Sequence, residues 1–292
     1  MTAERGGAIG GREVFRVVEE LRVRMAGGVY PRGSLLPSQR RLADDFSVSR
    51  DTVQRALDAL KEEGWIEARQ GSGTRVIREQ QVQSYTAKAS VEGSVTLREF
   101  FDEAFSGPEV VLDVSTLTSE SLATQIKAQT ERIRSGEVVP SRIAIRMLLP
   151  TESLVLPYPV ALEDQNGRLT PRLKQRLLEI THEHSSALRR ELRQLEVEKL
   201  VESAAMEIRH VDLTPTFKLY LINGTQALHG PYEVIERPIV LSEHETVRAL
   251  DILGVGAKLT HYVRDDNPES RGSVFTDSWQ AWFESVWTHL AR

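Results

Sequence analysis

The chain contains no cysteine. That excludes a disulfide scaffold, thiolate zinc sites and a cysteine nucleophile, and it is the usage expected of a cytoplasmic protein. Uninterrupted apolar runs of about 18 residues are also missing, so no membrane partner is expected. The opening residues, MTAERGGAIGGRE, lack the apolar stretch of a secretory signal. Internal repeats and low-complexity tracts are absent. Excess positive charge is lacking as well, since the net charge is −5. Its distribution is uneven: residues 11–79 carry 13 Arg/Lys against 11 Asp/Glu, while residues 80–292 carry −7. The asymmetry leans toward nucleic-acid contact in the N-terminal part.

What is present fits two domains, because 292 residues exceed one small domain. Val14, Phe15, Val18, Leu21 and Met25 fall on one stripe and predict a helix over 12–25, ended by Gly27 and Gly28. Ser38 and Ser49 are placed as N-caps of two short helices, to about Phe46 and Glu63, the second closed by Gly64. Residues 65–77 read as two short strands about a Gly-rich turn. Residues 79–96 are polar with poor periodicity and read as a linker. Beyond it, strands are expected at 110–114, 143–149, 205–211, 217–222 and 232–237, with helices at 119–135 and 171–203. A last amphipathic helix over 278–290 carries Trp279, Trp282, Phe283, Val286, Trp287 and Leu290 on one face. The alternation predicts an α/β sheet packed with helices.

Two short helices joined by Ser47 and Val48 make a helix-turn-helix. A recognition helix enters the major groove by its N-terminal turn, which points Arg50, Asp51, Thr52, Gln54 and Arg55 at DNA. Val53, Ala56, Leu57 and Leu60 take the opposite side. Arginine can bridge guanine O6 and N7, and Thr and Gln reach phosphates or base edges. The following hairpin offers Arg69, Gln70, Gly71, Ser72 and Gly73 to the minor groove or the phosphates. Leu36-Pro-Ser-Gln-Arg-Arg-Leu-Ala43, Val48-Ser-Arg-Asp-Thr-Val-Gln-Arg-Ala-Leu57, Glu63-Gly-Trp65 and Gly71-Ser-Gly-Thr-Arg-Val76 together resemble the head of the GntR regulators. The resemblance covers residues 12–78. It implies a winged helix-turn-helix with Arg40, Arg50, Thr52 and the wing residues Gln70 and Gly71 as main DNA contacts. Asp51 stands where that family often has Thr or Ser, and Gln54 where it often has Arg, which leaves the target sequence open.

The C-terminal part does not follow the usual GntR partner domains. Thr216-Phe-Lys-Leu-Tyr-Leu-Ile-Asn223, with Gly230 beyond it, is similar in spacing to the phospholipase D signature HxKxxxxD followed by GSxN. Thr216 replaces the nucleophilic His, Asn223 replaces Asp, and Pro231 and Glu233 replace Ser and Asn. The resemblance implies a degenerate phospholipase D-like half that has lost hydrolysis, since a Thr hydroxyl without a base cannot supply the step. What it leaves is an anion pocket of Thr216, Lys218 and Asn223 with Arg146, Arg209 or His210. His210 and His229 are read as surface or hydrogen-bonded histidines, and His182 and His184 fall on different helix faces.

The fold class expected is therefore multi-domain α/β. A winged helix-turn-helix spans 11–78, a linker 79–96, and an α/β effector-binding and dimerisation domain 97–292. The function expected is a cytoplasmic, homodimeric transcription regulator, a repressor in the first instance, without catalytic role, metal or cofactor. Its partners are double-stranded operator DNA with an inverted repeat and a small anionic effector, a nucleotide or phosphorylated metabolite. Two alternatives stay open: a phosphodiesterase or nuclease fused to a DNA-targeting head, and a ligand-independent architectural DNA binder.

Overall fold

The computed structural model describes residues 3–26, 28–69, 73–77, 81–84, 95–242, 245–252, 254 and 257–292. The chain divides into two compact units. The first is made of residues 1–80, 157–177 and 234–256, and the second of 81–156, 178–233 and 257–292.

In the first unit, α1 (Ala3–Ala26), α2 (Gln39–Phe46) and α3 (Arg50–Glu62) pack through apolar stripes. Val14, Val18 and Leu21 of α1 meet Leu42 and Phe46 of α2 and Val53, Ala56 and Leu60 of α3, closed by Trp65, Ile66 and Val76. The expected caps are formed: Ser38 Oγ accepts from Arg41 N at 3.3 Å and Ser49 Oγ from Thr52 N at 3.1 Å. Gly64 closes α3 at φ +73°, a conformation that costs a side-chain-bearing residue more. β1 (Ile66–Arg69) and β2 (Gly73–Val76) form the antiparallel wing. The second part of this unit comes from far along the chain. It is a three-stranded antiparallel sheet of β7 (Val160–Ala161), β11 (Val234–Ser242) and β12 (Glu245–Ile252), in the order β11-β12-β7. Ile239, Val247 and Ala249 cover Leu173 near the start of α6 (Leu169–Val197). Val240 packs against the core of the winged segment.

The second unit is an eight-stranded mixed sheet, with helices on both faces. Its strands are β3 (Gln81–Ser84), β4 (Val95–Thr96), β5 (Glu109–Ser115), β6 (Arg142–Pro150), β8 (Ser203–Val211), β9 (Phe217–Ile222), β10 (Gln226–Pro231) and β13 (Leu259–Val263), in the order β4-β3-β13-β10-β9-β5-β6-β8. β5, β6 and β8 run parallel, and α5 (Glu120–Arg134) and then α6 lie between them in the chain. β9 and β10 form a hairpin whose turn residues Asn223 and Gly224 sit at φ 52° and 64°, the left-handed pair a tight hairpin demands. One face carries Val110, Leu112, Ile143, Ile145, Tyr220 and Ile222 against α4 (Leu97–Phe105), α5 and the latter part of α6. The other carries Leu148, Leu219, Leu221 and Ala227 against Phe283, Val286 and Trp287 of α7 (Arg271–His289).

Three sequence expectations need revision. Residues 79–96 hold β3 and β4, paired into the large sheet, rather than a plain linker. The head does not end at residue 78, because β7, β11, β12 and the start of α6 belong to the same compact unit. The strand expected over 232–237 is divided: β10 ends at Pro231, β11 starts at Val234, and the Tyr232 hydroxyl turns inward to Thr116 and to the backbone of Leu117.

Candidate nucleic-acid interface

The outer face of α3 starts at the Ser49 cap. Arg50, Asp51, Gln54 and Asp58 are exposed on it, and Arg40 is exposed near the start of α2. The helix N-terminus carries partial positive charge and backbone N–H groups suited to a phosphate. Asp51 lies 4.0 Å from Arg55, a helical ion pair that leaves Arg55 about one quarter exposed. Gln54 is held at both ends of its amide: Oε1 accepts from Gln39 Nε2 at 2.5 Å, and Nε2 donates to Asp58 Oδ1 at 3.0 Å. A carboxylate cannot donate, so Asp58 fixes which end of the Gln54 amide faces it. Gln39 and Asp58 were not singled out by sequence reasoning. Asp58 follows Gln54 by four positions on one helix face, a spacing legible in the sequence, whereas only the helix-turn-helix bend brings Gln39 to Gln54.

Thr52 departs from the expected contact set. It is 6% exposed, and its hydroxyl sits 2.9 Å from Ser49 Oγ, so it completes the cap inside the fold instead of facing outward. On the wing, Arg75 donates to Gly33 O at 2.7 Å. The backbone of Arg69 ends β1. The expected contacts Gln70, Gly71 and Ser72 lie outside the described residues, as does the side chain of Arg69.

The six residues expected to form an anion pocket do not converge. Lys218 lies on the face of the large sheet that meets α5, 3% exposed, with Nζ 3.0 Å from Ser121 Oγ. Burial draws its ammonium down to about 8, opposed by the neighbouring Glu120 carboxylate. Burial raises the Tyr220 hydroxyl beside it, with Tyr232 adding to the shift. Strand alternation sends Arg146 and Arg209 to the opposite face, against α7. Arg146 makes a fork to Asp113 at 2.7 Å on both arms, also meets Glu284, and lies over the rings of Phe283 and Trp287. The Asp113 carboxylate, followed by Glu284, holds this guanidinium above its ordinary value despite partial burial. Arg209 stacks 4.5 Å over Trp287 and donates to Trp287 O. Asn223 is at the far end of β9, where Oδ1 accepts from Val111 N at 2.8 Å. Thr216 is exposed just ahead of β9, and His210 pairs its backbone with that of Arg292. Among the described residues no cluster of three His, Asp or Glu side chains is arranged to hold a metal ion.

Three helices, a capped second and third helix, and a two-stranded wing define a winged helix-turn-helix domain. Residues 14–76 match the model of the family described as "Bacterial regulatory proteins, gntR family", and this domain belongs to it. The chain is 45% identical over 62 residues to the HTH-type transcriptional regulator YdfD of Bacillus subtilis (strain 168), covering 21% of this chain and 13% of that protein. It is 36% identical over 77 residues to the Exu regulon transcriptional regulator of Escherichia coli (strain K12), covering 26% of this chain and 30% of that one. The chain thus spans under a third of the length of these relatives. A solved chain, Streptococcus agalactiae GntR, overlaps 42% of this chain and 64% of its own at 20% identity, with a TM-score of 0.21. No helix among the described residues is long and apolar enough to cross a membrane.

Proposed function

We propose that this chain is a DNA-binding transcription regulator. The observation that carries the reading is the split character of α3: its buried side builds the core with Val53, Ala56, Leu57 and Leu60, while its outer side and the start of α2 leave Arg50, Gln54 and Arg40 toward solvent at a capped helix N-terminus. Such a surface reads a major groove. The active species is a homodimer on an inverted-repeat operator, and the action is repression. The test is a mobility-shift titration on duplexes selected from a random pool. Arg50→Ala is expected to weaken the selected site by roughly 1–3 kcal/mol while sparing random duplex, as loss of a bidentate base contact does. Equal losses on both make Arg50 a phosphate contact only. Wild-type log affinity is expected to fall linearly with log salt, and salt-independent binding overturns the reading. Sedimentation of the protein–DNA complex reports whether two chains bind one site.

The effector reading is re-centred on Lys218. A small anion reaching its ammonium competes with Glu120 and Ser121 for the one cation, and so transmits occupancy to the start of α5. In-register Gly230 and Lys218 on the β9–β10 hairpin favour descent from a phospholipase D-like half. The enzyme alternative is disfavoured by Thr216 in the nucleophile position. Thermal-shift screening with nucleotides and sugar phosphates tests the effector reading. A shift from one compound that Lys218→Met abolishes supports it. Equal shifts in both proteins, or none, argue for a ligand-independent DNA binder.

A further inference from the structure

Six charged side chains are gathered inside the first unit. Three come from the winged segment: Glu19 and Arg22 on α1, and Glu63 at the C-cap of α3. Three come from much further along the chain: Arg176 on α6, Arg237 on β11 and Asp251 on β12. The first three sum to one negative charge and the second three to one positive charge, so the two parts are complementary where they meet.

Glu63 is the informative member. A helix C-terminus carries partial negative charge, which makes its cap an unfavourable place for a carboxylate. This one is also buried, with its side chain 4% exposed. A buried carboxylate at a negative pole requires dedicated cations. Arg22 donates to Glu63 Oε2 from Nε at 3.0 Å and from Nη2 at 3.2 Å, and Arg237 Nη1 stands 3.6 Å from Oε1. Neither arginine is loose. Arg22 also forks onto Glu19 at 2.8 and 3.0 Å. Arg237 holds Asp251 Oδ2 from Nε at 2.9 Å and from Nη2 at 2.7 Å. Glu19 is gripped a second time by Arg176 at 2.7 Å, whose guanidinium lies 4.2 Å over the Phe15 ring.

We infer that Arg237, Asp251 and Arg176 are positioning residues for DNA recognition: acting through Glu63 and Glu19, the distant three-stranded sheet and the start of α6 set the tilt of α3. The inference rests on the regulator reading above. α3 has 13 residues. A tilt of about 5° about its C-terminal end displaces its N-terminal turn by about 2 Å, given about 1.5 Å of rise per residue. A hydrogen bond to a base edge does not survive that displacement. Arg50 lies at the far end of this lever, and Glu63 at its pivot.

The test uses the full chain. Wild-type protein selects a site from random duplex DNA, and affinity is then measured on that site and on random duplex for wild type and Arg237→Met, with circular dichroism confirming that both are folded. The expected result is a loss of at least about fivefold on the selected site, the low end of one base contact, with random-duplex affinity and its salt slope unchanged. A folded Arg237→Met chain that keeps the wild-type ratio of the two affinities overturns the inference, because a merely structural role leaves the ratio unmoved. Should Arg237→Met fail to fold, Arg237→Lys keeps the charge but loses the two-pronged grip. It is expected to give an intermediate ratio, and an unchanged ratio again overturns the inference. A wild-type chain that selects no site overturns the regulator reading and takes this inference with it. Site selection with an unchanged variant ratio overturns the inference alone.

Discussion

Lys218 and His261 are buried ionisable groups that act on stability with the same sign in two separate pH windows. Lys218 is drawn down to about 8 by burial, so the unfolded chain holds its proton more tightly than the folded one. Stability therefore rises as pH climbs from about 8 to about 10.5, by roughly 3 kcal/mol at most. His261 is drawn down to about 4 by burial, with Nε2 2.9 Å from Gln226 Oε1 and its ring against Phe100. Its contribution is lost as pH falls from about 6.5 toward 4. Urea titrations across pH are expected to show both slopes, and Lys218→Met to remove the alkaline one; an unchanged alkaline slope in that variant refutes the assignment. Gly230 faces Lys218 across the hairpin, and a Cβ there would stand 2.1 Å from Lys258 O. Gly230→Ala is expected to cost about 1–3 kcal/mol in chemical denaturation, as overpacking does, and a neutral result contradicts that close approach. The sequence picked out both Lys218 and Gly230. It did not reveal Ser121 or Glu120 beside Lys218, because a contact across 97 positions has no local signature. Arg146 and Arg209 were grouped with Lys218 on charge alone, whereas strand alternation turns them to the other face.

At the scale of elements, legibility follows how local the stabilising interaction is. Ser38 and Ser49 cap their helices through hydrogen bonds spanning three residues, and both helix starts were read from the sequence. The apolar stripe of α1 and the paired strands of the wing were read for the same reason. Thr52 is the instructive exception: the motif marked it as a contact, and its neighbour Ser49 draws it into the cap. Ser49→Ala is expected to destabilise the domain by about 1 kcal/mol and to weaken DNA binding by loosening the first turn of α3. Thermal melting together with the mobility-shift titration checks this, and an unchanged melting temperature speaks against a capping role. β10, β12 and β13 went unread. Gln226–Pro231 contains Gly and Pro, which count against a strand, and is held by partners on both sides. Glu245–Ile252 mixes charged and apolar residues, and its pairing with β11 and β7 decides its state.

At the scale of the whole molecule, the division into two parts was legible and the boundary was not. Composition and motifs mark off a head near residue 78, but nothing local in residues 157–177 or 234–256 says that they complete it. The link is long-range: Arg237 to Glu63, Arg176 to Glu19, and Val240 against the helical core. A fragment of residues 1–80 keeps Glu19, Arg22 and Glu63 but loses Arg176 and Arg237. It is expected to melt without a sharp calorimetric transition, or well below the same unit in the intact chain. A fragment that melts cooperatively at the intact protein's temperature shows that the later segments contribute nothing to the head.

The interleaving of the two units also bears on synthesis. A ribosome releases the winged segment first, but Arg237 and Asp251 follow only after the intervening strands and helices, a delay on the order of ten seconds or more at typical elongation rates. Until then Glu63 lacks one of its two arginines, Arg237, while Glu19 gains Arg176 earlier. A chain broken off before residue 234 keeps the winged segment but lacks β11 and β12, and with them Arg237 and Asp251, so on the proposal above a truncated product is expected to compete poorly for the sites of the finished protein.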